Sequence, residues 1–409
     1  MFNRDSWQEI FDTISKNKLR TFLSGFTVAM GIFIFVILFG FGNGLKNSFK
    51  EFFEDDATNI FRLFPGKTTK AYNGFKSDRY IEFDNDDLSA IQKNFAFQLQ
   101  YITPRIQRNY TVKYKIKSNN YGLRAVAPGH LYAEKTIMMK GRFINHLDVI
   151  NKTKYAVIGR LVEEDLFEGD DALGKYIDIG KRSFKVVGVF QDDGGDNEER
   201  YVYTPYTTNQ LIEKNTDKVG QIIVAFKPVI GYDEAMAFEE NLMSFMKKRH
   251  DINPDDESGI YLRNVADDLK QNQDFGSLLQ YVVMFVGIGT LIAGIIGISN
   301  IMVYVVKERT KELGIRKAIG ATPRSVIAMI LQESIFITTA AGYIGLFAGI
   351  FLLSSMDDTL DDYFIKNPYI DMGTAIFATL LLILFGGIAG YMPARRAARI
   401  KPIVALRDE

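Results

Sequence analysis

Cysteine is absent from this 409-residue chain, and histidine occurs only as His130, His146 and His250. Without thiols there is no disulfide scaffold, thiolate zinc site, iron–sulfur cluster or cysteine nucleophile. Three scattered histidines offer no histidine-rich metal motif. An excess of either charge is also missing, with 49 Lys+Arg against 49 Asp+Glu. No net field draws the chain to nucleic acid, and none is expected as a partner. A hydrophobic share of 47% and a mean hydropathy of -0.03 are ordinary for a soluble protein. Those averages conceal an uneven distribution.

The apolar residues gather into four uncharged runs: Thr21–Leu45, Phe275–Val306, Ser334–Met356 and Met372–Ala394. A helix of about 20 apolar residues crosses a bilayer, and each run is long enough. Basic residues cluster before the first run (Arg4, Lys16, Lys18, Arg20), between the second and third (Lys307 to Arg324), and after the fourth (Arg395, Arg396, Arg399, Lys401, Arg407). The loop between the third and fourth instead holds Asp357, Asp358, Asp361, Asp362 and Asp371 against a single Lys366. By the positive-inside rule both termini and the middle loop are cytoplasmic.

The expected fold is a membrane protein with four transmembrane α-helices and a large α+β extracytoplasmic domain inserted between helix 1 and helix 2. The spans fall at 19–45, 275–306, 325–356 and 372–394, and the domain at 46–274. A cytoplasmic elbow at 307–324, an acidic external loop at 357–371 and a cytoplasmic tail at 395–409 complete the order. The first span lacks a small-residue cleavage site and reads as an uncleaved anchor. Before it, in 1–18, Trp7, Ile10, Phe11 and Ile14 recur at helical spacing. That stripe fits either a helix in the membrane interface or one packed on the protein's own cytoplasmic surface.

In the external segment Thr111–Lys117 alternates with period two and predicts a strand. Tyr176–Ile179 and Phe184–Phe190, around Gly180–Ser183, predict a hairpin, and Gln221–Phe226 another strand. Helices are expected from Asp84 and over Asp233–Arg249, with strand-rich material centred on 105–205. The acidic run Asp192–Glu199 lacks the alternating ligand spacing of a calcium loop and reads as solvated. Phe64-Pro-Gly-Lys-Thr ends like a phosphate-binding loop, but Phe61 stands where its first glycine belongs. No other Walker motif occurs, and no catalytic residue or metal site is expected.

The most informative stretch runs from Asn300 to Arg324. Glu312 and Arg316 form a favourable i,i+4 pair, Gly314 and Gly320 loosen or end the helix, and Thr322 with Pro323 starts the next one. Composition alone reads this stretch as a loop of solvated positive charges. Its wording says more: Glu308-Arg-Thr-Lys-Glu-Leu-Gly-Ile-Arg-Lys-Ala-Ile-Gly320 closely resembles the signature of the MacB-type, FtsX-like permeases of ABC transporters. The tail from Tyr391, with Pro393, Arg395 and Arg396, resembles that family's C-terminal signature. Tyr155–Gly159, Leu173–Lys175 and Phe184–Val189 are similar to phrases of its external domain.

The resemblance implies a permease in a bacterial inner membrane with a periplasmic domain, working as a homodimer or as a heterodimer with a paralogue. It also implies a separate cytoplasmic ATPase, which would bind ATP and magnesium; this chain would bind no cofactor. Glu308, Arg309, Lys311, Glu312, Leu313, Gly314, Ile315, Arg316, Lys317 and Gly320 would form the coupling helix. Arg309, Glu312, Arg316 and Lys317 would contact the ATPase, with apolar Leu313 and Ile315 contributing as much. Reversing the Glu312–Arg316 pair is expected to uncouple the ATPase and leave the fold intact. The stroke would move the external domain to extrude cargo, with a periplasmic adaptor and outer-membrane duct in efflux members. The alternatives are an FtsX-like regulator of cell-wall hydrolases and a lipoprotein-release permease.

Three intramembrane features remain. Glu333 lies ten residues after Pro323 and either pairs with a basic residue of the elbow or snorkels to the interface. Gly345–Gly349 and Gly386–Gly390 are small-xxx-small faces expected to pack within the monomer. Gly40–Gly44 reads as a hinge or as a helix terminus.

Overall fold

The computed structural model describes residues 18–54, 57–192, 194–361, 363 and 365–399. The stripe expected at Trp7–Ile14 and the tail beyond Arg399 lie outside the described residues. In chain order the elements begin with α1 (Lys18–Glu54), β1 (Ile60–Pro65), β2 (Phe83–Asp84), α2 (Asn85–Asn94), β3 (Leu99–Tyr114) and β4 (Lys117–Val126). They continue with α3 (His130–Ala133), β5 (Ile137–Gly141), α4 (His146–Ile150), β6 (Tyr155–Gly159), α5 (Arg160–Phe167), β7 (Tyr176–Ile179) and β8 (Arg182–Gln191). Next come β9 (Tyr201–Pro205), α6 (Tyr206–Ile212), β10 (Lys218–Val219), β11 (Gln221–Phe226), α7 (Tyr232–Arg249) and β12 (Ile260–Asn264). The last four are α8 (Val265–Glu308), α9 (Thr310–Ala318), α10 (Pro323–Asp361) and α11 (Met372–Ala398).

Two compact units result: an α+β unit within Phe49–Asn272, and a helical unit drawn from Met1–Ser48 and Gln273–Glu409. The α+β unit is built on a ten-stranded sheet of order β12-β1-β11-β3-β4-β9-β6-β8-β5, with β7 paired to β3 and β8. All six residues of β11 are buried because both faces of that strand are covered. Ile222, Val224 and Phe226 pack with Phe238, Leu242 and Met246 of α7, while Ile223 and Ala225 pack with Ile60 and Val265. A second core gathers Leu123, Ile158, Val162, Leu166, Val186 and Val202. The sheet therefore extends well outside 105–205, and β1, β11 and β12 form its other end.

The hairpin expected around Gly180 is present, with Tyr176 opposite Lys185 and Ile179 opposite Arg182. Thr111–Lys117 is corrected: β3 stops at Tyr114 and β4 starts at Lys117, with Tyr114 opposite Lys117. The reversal uses Lys115 at φ 53, and Ile116 is 94% exposed. No Gly, Asn or Asp advertises that turn, so the alternation runs through it unbroken.

A buried ionic cluster ties β1, β3 and β4 together. Glu134 lies 2.9 Å from Arg62, 3.4 Å from Arg105 and 3.5 Å from Arg124. Burial opposes ionisation of Glu134, and the surrounding positive charges outweigh it, holding the carboxyl below its usual range. His130, fully buried against Tyr203, is pushed by burial down to about 3 and is neutral at physiological pH. The acidic run is also tied to basic side chains, Glu198 to Arg124 and Glu199 to Arg160, each at 2.5 Å. No group of metal-ligating side chains occurs among the described residues.

In the helical unit α1, α8, α10 and α11 are long and apolar enough to cross a membrane. They overrun the expected spans: α10, for example, starts at Pro323 and continues to Asp361. Gly40–Gly44 is neither hinge nor terminus, because α1 runs straight through it. A Cβ at Gly40 would strike Leu353, and one at Gly44 would strike Ile365. The glycine faces serve packing within the chain. Gly345 sits against the Ala29 carbonyl and Gly349 against Val36, while Gly386 meets Thr338 and Gly390 meets Ser334.

Candidate coupling elbow

The helical path breaks at Arg309, whose φ of -91 and ψ of 12 separate α8 from α9. Thr310 donates back to the Val306 carbonyl at 3.2 Å, a bond that bends helices. The short α9 then turns Leu313 and Gly314 inward. Leu313 is 1% exposed and packs in a cluster with Met302, Val306, Val326, Ile330 and Ala397. Gly320, at φ 114, ends the elbow in a conformation that favours glycine. Thr322 accepts from the Ser325 amide at 3.3 Å, capping α10 with Pro323 at its first position.

The charged side chains of the elbow are largely turned on one another. Arg309 grips both oxygens of Glu312 at 2.9 Å and reaches Glu333 at 3.4 Å. The expected Glu312–Arg316 pair forms at 2.9 Å, and Arg316 also meets the Met329 sulfur at 2.8 Å. Lys317 donates to the Ala398 carbonyl near the end of α11 at 2.8 Å. Glu333 is 3% exposed, so it pairs with the elbow rather than snorkelling. Next to it Ser334 donates to the Gly386 carbonyl at 2.9 Å, joining α10 to α11.

This geometry redistributes the expected contacts. Leu313 is corrected: it faces the core and is buried within the chain, so it is not on the outward face expected to meet a partner. Arg309, Glu312, Arg316 and Lys317 bind the elbow to itself, to α10 and to α11. Reversing Glu312 and Arg316 would therefore disturb the elbow's own seat, since Arg309 also grips Glu312. The outward face is formed by Glu308, Lys311, Ile315 and Ile319, the last 83% exposed. The exposed Ile319 is missed by a charge-led reading. Its sequence signal is the i,i+4 spacing from Ile315. Pro393 and Ala394 are buried inside α11, whereas Arg395 and Arg396 are exposed.

Two family models match the sequence. The MacB-like periplasmic core domain covers residues 21–237, more than half of the chain, and the FtsX-like permease C-terminal region covers 284–402, including the whole elbow. The chain belongs to the MacB-type, FtsX-like permease family. It is thus a membrane permease with a MacB-like periplasmic domain and four candidate spanning helices.

Among its relatives is the macrolide export ATP-binding/permease protein MacB of Wolinella succinogenes, 27% identical over 98% of this chain and 60% of the relative. The protein of the same name from Bdellovibrio bacteriovorus is 27% identical over 98% of this chain and 61% of its own length. The chain thus spans about 60% of the length of these curated relatives. The periplasmic region of MacB from Actinobacillus actinomycetemcomitans is similar at a TM-score of 0.44 and 21% identity, over 54% of this chain and 95% of that one.

Proposed function

We propose that the chain is the transmembrane subunit of an ABC transporter that converts closure of a cytoplasmic ATPase into movement of its periplasmic domain. The single observation that carries this reading is the elbow. It has one exposed apolar–charged face, and its other face is locked to α10 and α11 through Leu313, Arg309–Glu333 and Lys317–Ala398. A push on the outward face has no slack to take up before it reaches the ends of the membrane helices. Both termini and the elbow lie on the cytoplasmic side, as the basic clusters direct. The working unit is a dimer, and ATP and magnesium are held by the ATPase.

The stroke extrudes cargo from the periplasm or outer leaflet, in efflux members through an adaptor and an outer-membrane duct. Macrolides, named in the relatives' function, are the first cargo class to try. The test is purification of the tagged full chain from native membranes, followed by nucleotide hydrolysis with Ile315→Glu and Ile319→Glu in place. Wild type should bring down ABC ATPase activity, and the doubly substituted chain should lose that stimulation while melting at the same temperature. Unchanged stimulation would sink the elbow assignment.

A further inference from the structure

The α+β unit carries a cleft of about 590 Å³ between α7 and an arm formed by residues 66–80. The arm reverses at Asn73 and Gly74, at φ 45 and 83, with Tyr72 and Phe75 paired across the turn. Its base is clamped by the buried Asp256 carboxylate, which accepts from the Thr69, Lys70 and Ser258 amides at 2.7, 2.9 and 3.0 Å. Arg79 donates to the His250 and Asp251 carbonyls at 2.6 and 3.0 Å, tying the arm to the end of α7. Asn73 at its tip donates to Asp251 at 3.0 Å. Both walls of the cleft are therefore fixed before any ligand arrives, which lowers the cost of binding.

One stripe of α7 faces the core with Ala235, Phe238, Leu242 and Met246. The neighbouring stripe, Glu240, Met243, Ser244, Lys247 and Lys248, lines the cleft. Its charges are sorted lengthwise, with the acid at Glu240 and the bases seven and eight residues later. At 1.5 Å per residue the two ends are about 12 Å apart. An extended peptide advances roughly 3.3–3.6 Å per residue, so three to four residues span that distance. Two acids, Glu240 and Asp251, balance Lys247 and Lys248, which favours a ligand of no net charge. Lys247 already donates to the Pro254 carbonyl at 2.7 Å, leaving Lys248 as the principal cation toward the cleft. Met243 and Pro254 give it an apolar floor, and its volume lies in the range of small-molecule sites.

We infer that this cleft binds a short, extended zwitterionic peptide, its ammonium at Glu240, its carboxylate at Lys248 and an apolar side chain on Met243 and Pro254. This inference is independent of the elbow and of any ATPase. The test is titration of the full chain in lipid nanodiscs with the tetrapeptide Ala-Leu-Leu-Ala, its N-acetylated form and its C-amidated form. Saturable binding of the free peptide is expected below about 1 mM, with each cap weakening it at least tenfold. Lys248→Glu should reproduce the effect of the amide and Glu240→Lys that of the acetyl group. Both positions are exposed, so the fold is retained. Absence of saturable binding would overturn the inference, as would binding indifferent to the caps and to both substitutions.

Discussion

Removing the Arg309 side chain separates an elbow held by ion pairs from one held by packing alone. Glu333 is 3% exposed and lies 3.4 Å from Arg309. Truncating one partner of a buried pair costs about 3–5 kcal/mol, because the carboxylate loses the guanidinium that offsets its desolvation. Glu312 meets the same guanidinium with a side chain 44% exposed, a setting in which a pair contributes about 0.2–1 kcal/mol. Arg309→Ala should therefore cost about 3 kcal/mol or more and Glu312→Gln under about 1 kcal/mol. Arg309→Met with Glu333→Gln should recover most of the loss, since neither charge then remains.

The cysteine-free chain supplies the assay for this comparison. A cysteine at Ile330, 3% exposed and in the same core cluster as Leu313, reacts with a maleimide only when the unit opens. A 3 kcal/mol loss raises that labelling rate roughly a hundredfold. Arg309→Ala labelling no faster than Glu312→Gln would refute the ion-pair account.

Two further predictions concern pH and packing. His130 is neutral in the fold and held down at about 3, so between pH 6.5 and that value the unfolded chain binds the extra proton. Stability is full above about pH 6.5 and falls as pH drops, by at most about 1.4 kcal/mol per unit. Thermal melts from pH 7 to 4.5 should show this slope in wild type and a flatter one in His130→Phe; equal slopes would refute it. Gly345→Ala should destabilise by about 1–3 kcal/mol because its Cβ meets the Ala29 carbonyl. Gly387→Ala has open space and should be neutral or gain up to about 1 kcal/mol, as thermal melts of the two variants would show.

The long apolar runs were legible because length and lack of charge suffice to mark a spanning helix, and the Glu312–Arg316 pair because i,i+4 spacing puts the two side chains on one face. The start of α10 was legible from the Thr322 cap and Pro323, but the C-terminal ends of α10 and α11 were not, since Asp357–Asp361 and Arg395–Ala398 continue as helix despite their charge. The Lys115–Ile116 turn was invisible because its left-handed residue is a lysine. Direction was the larger loss at the elbow. A sequence shows that Arg309 and Leu313 belong to a motif, but only the packing of Met302, Val326 and Ala397 around Leu313 shows which way α9 faces.

That orientation bears on how force would pass through the elbow under the proposed mechanism. If α9 pivoted alone, Leu313 would have to leave its core and Lys317 its carbonyl, so α9 should travel with α10 and α11. The Arg309 joint, already outside helical geometry, is where the angle to α8 would change, with Leu313 shifting against Met302 and Val306 of α8. Spin labels at Ile315→Cys and Arg395→Cys, both exposed, should hold one distance with and without nucleotide in the ATPase-bound permease. Labels at Ile315→Cys and Tyr304→Cys, the latter on α8, should report two distances across the joint. The reverse pattern, a fixed joint and a shifting α9–α11 distance, would make the elbow a lever that slides over α11 rather than one that carries it.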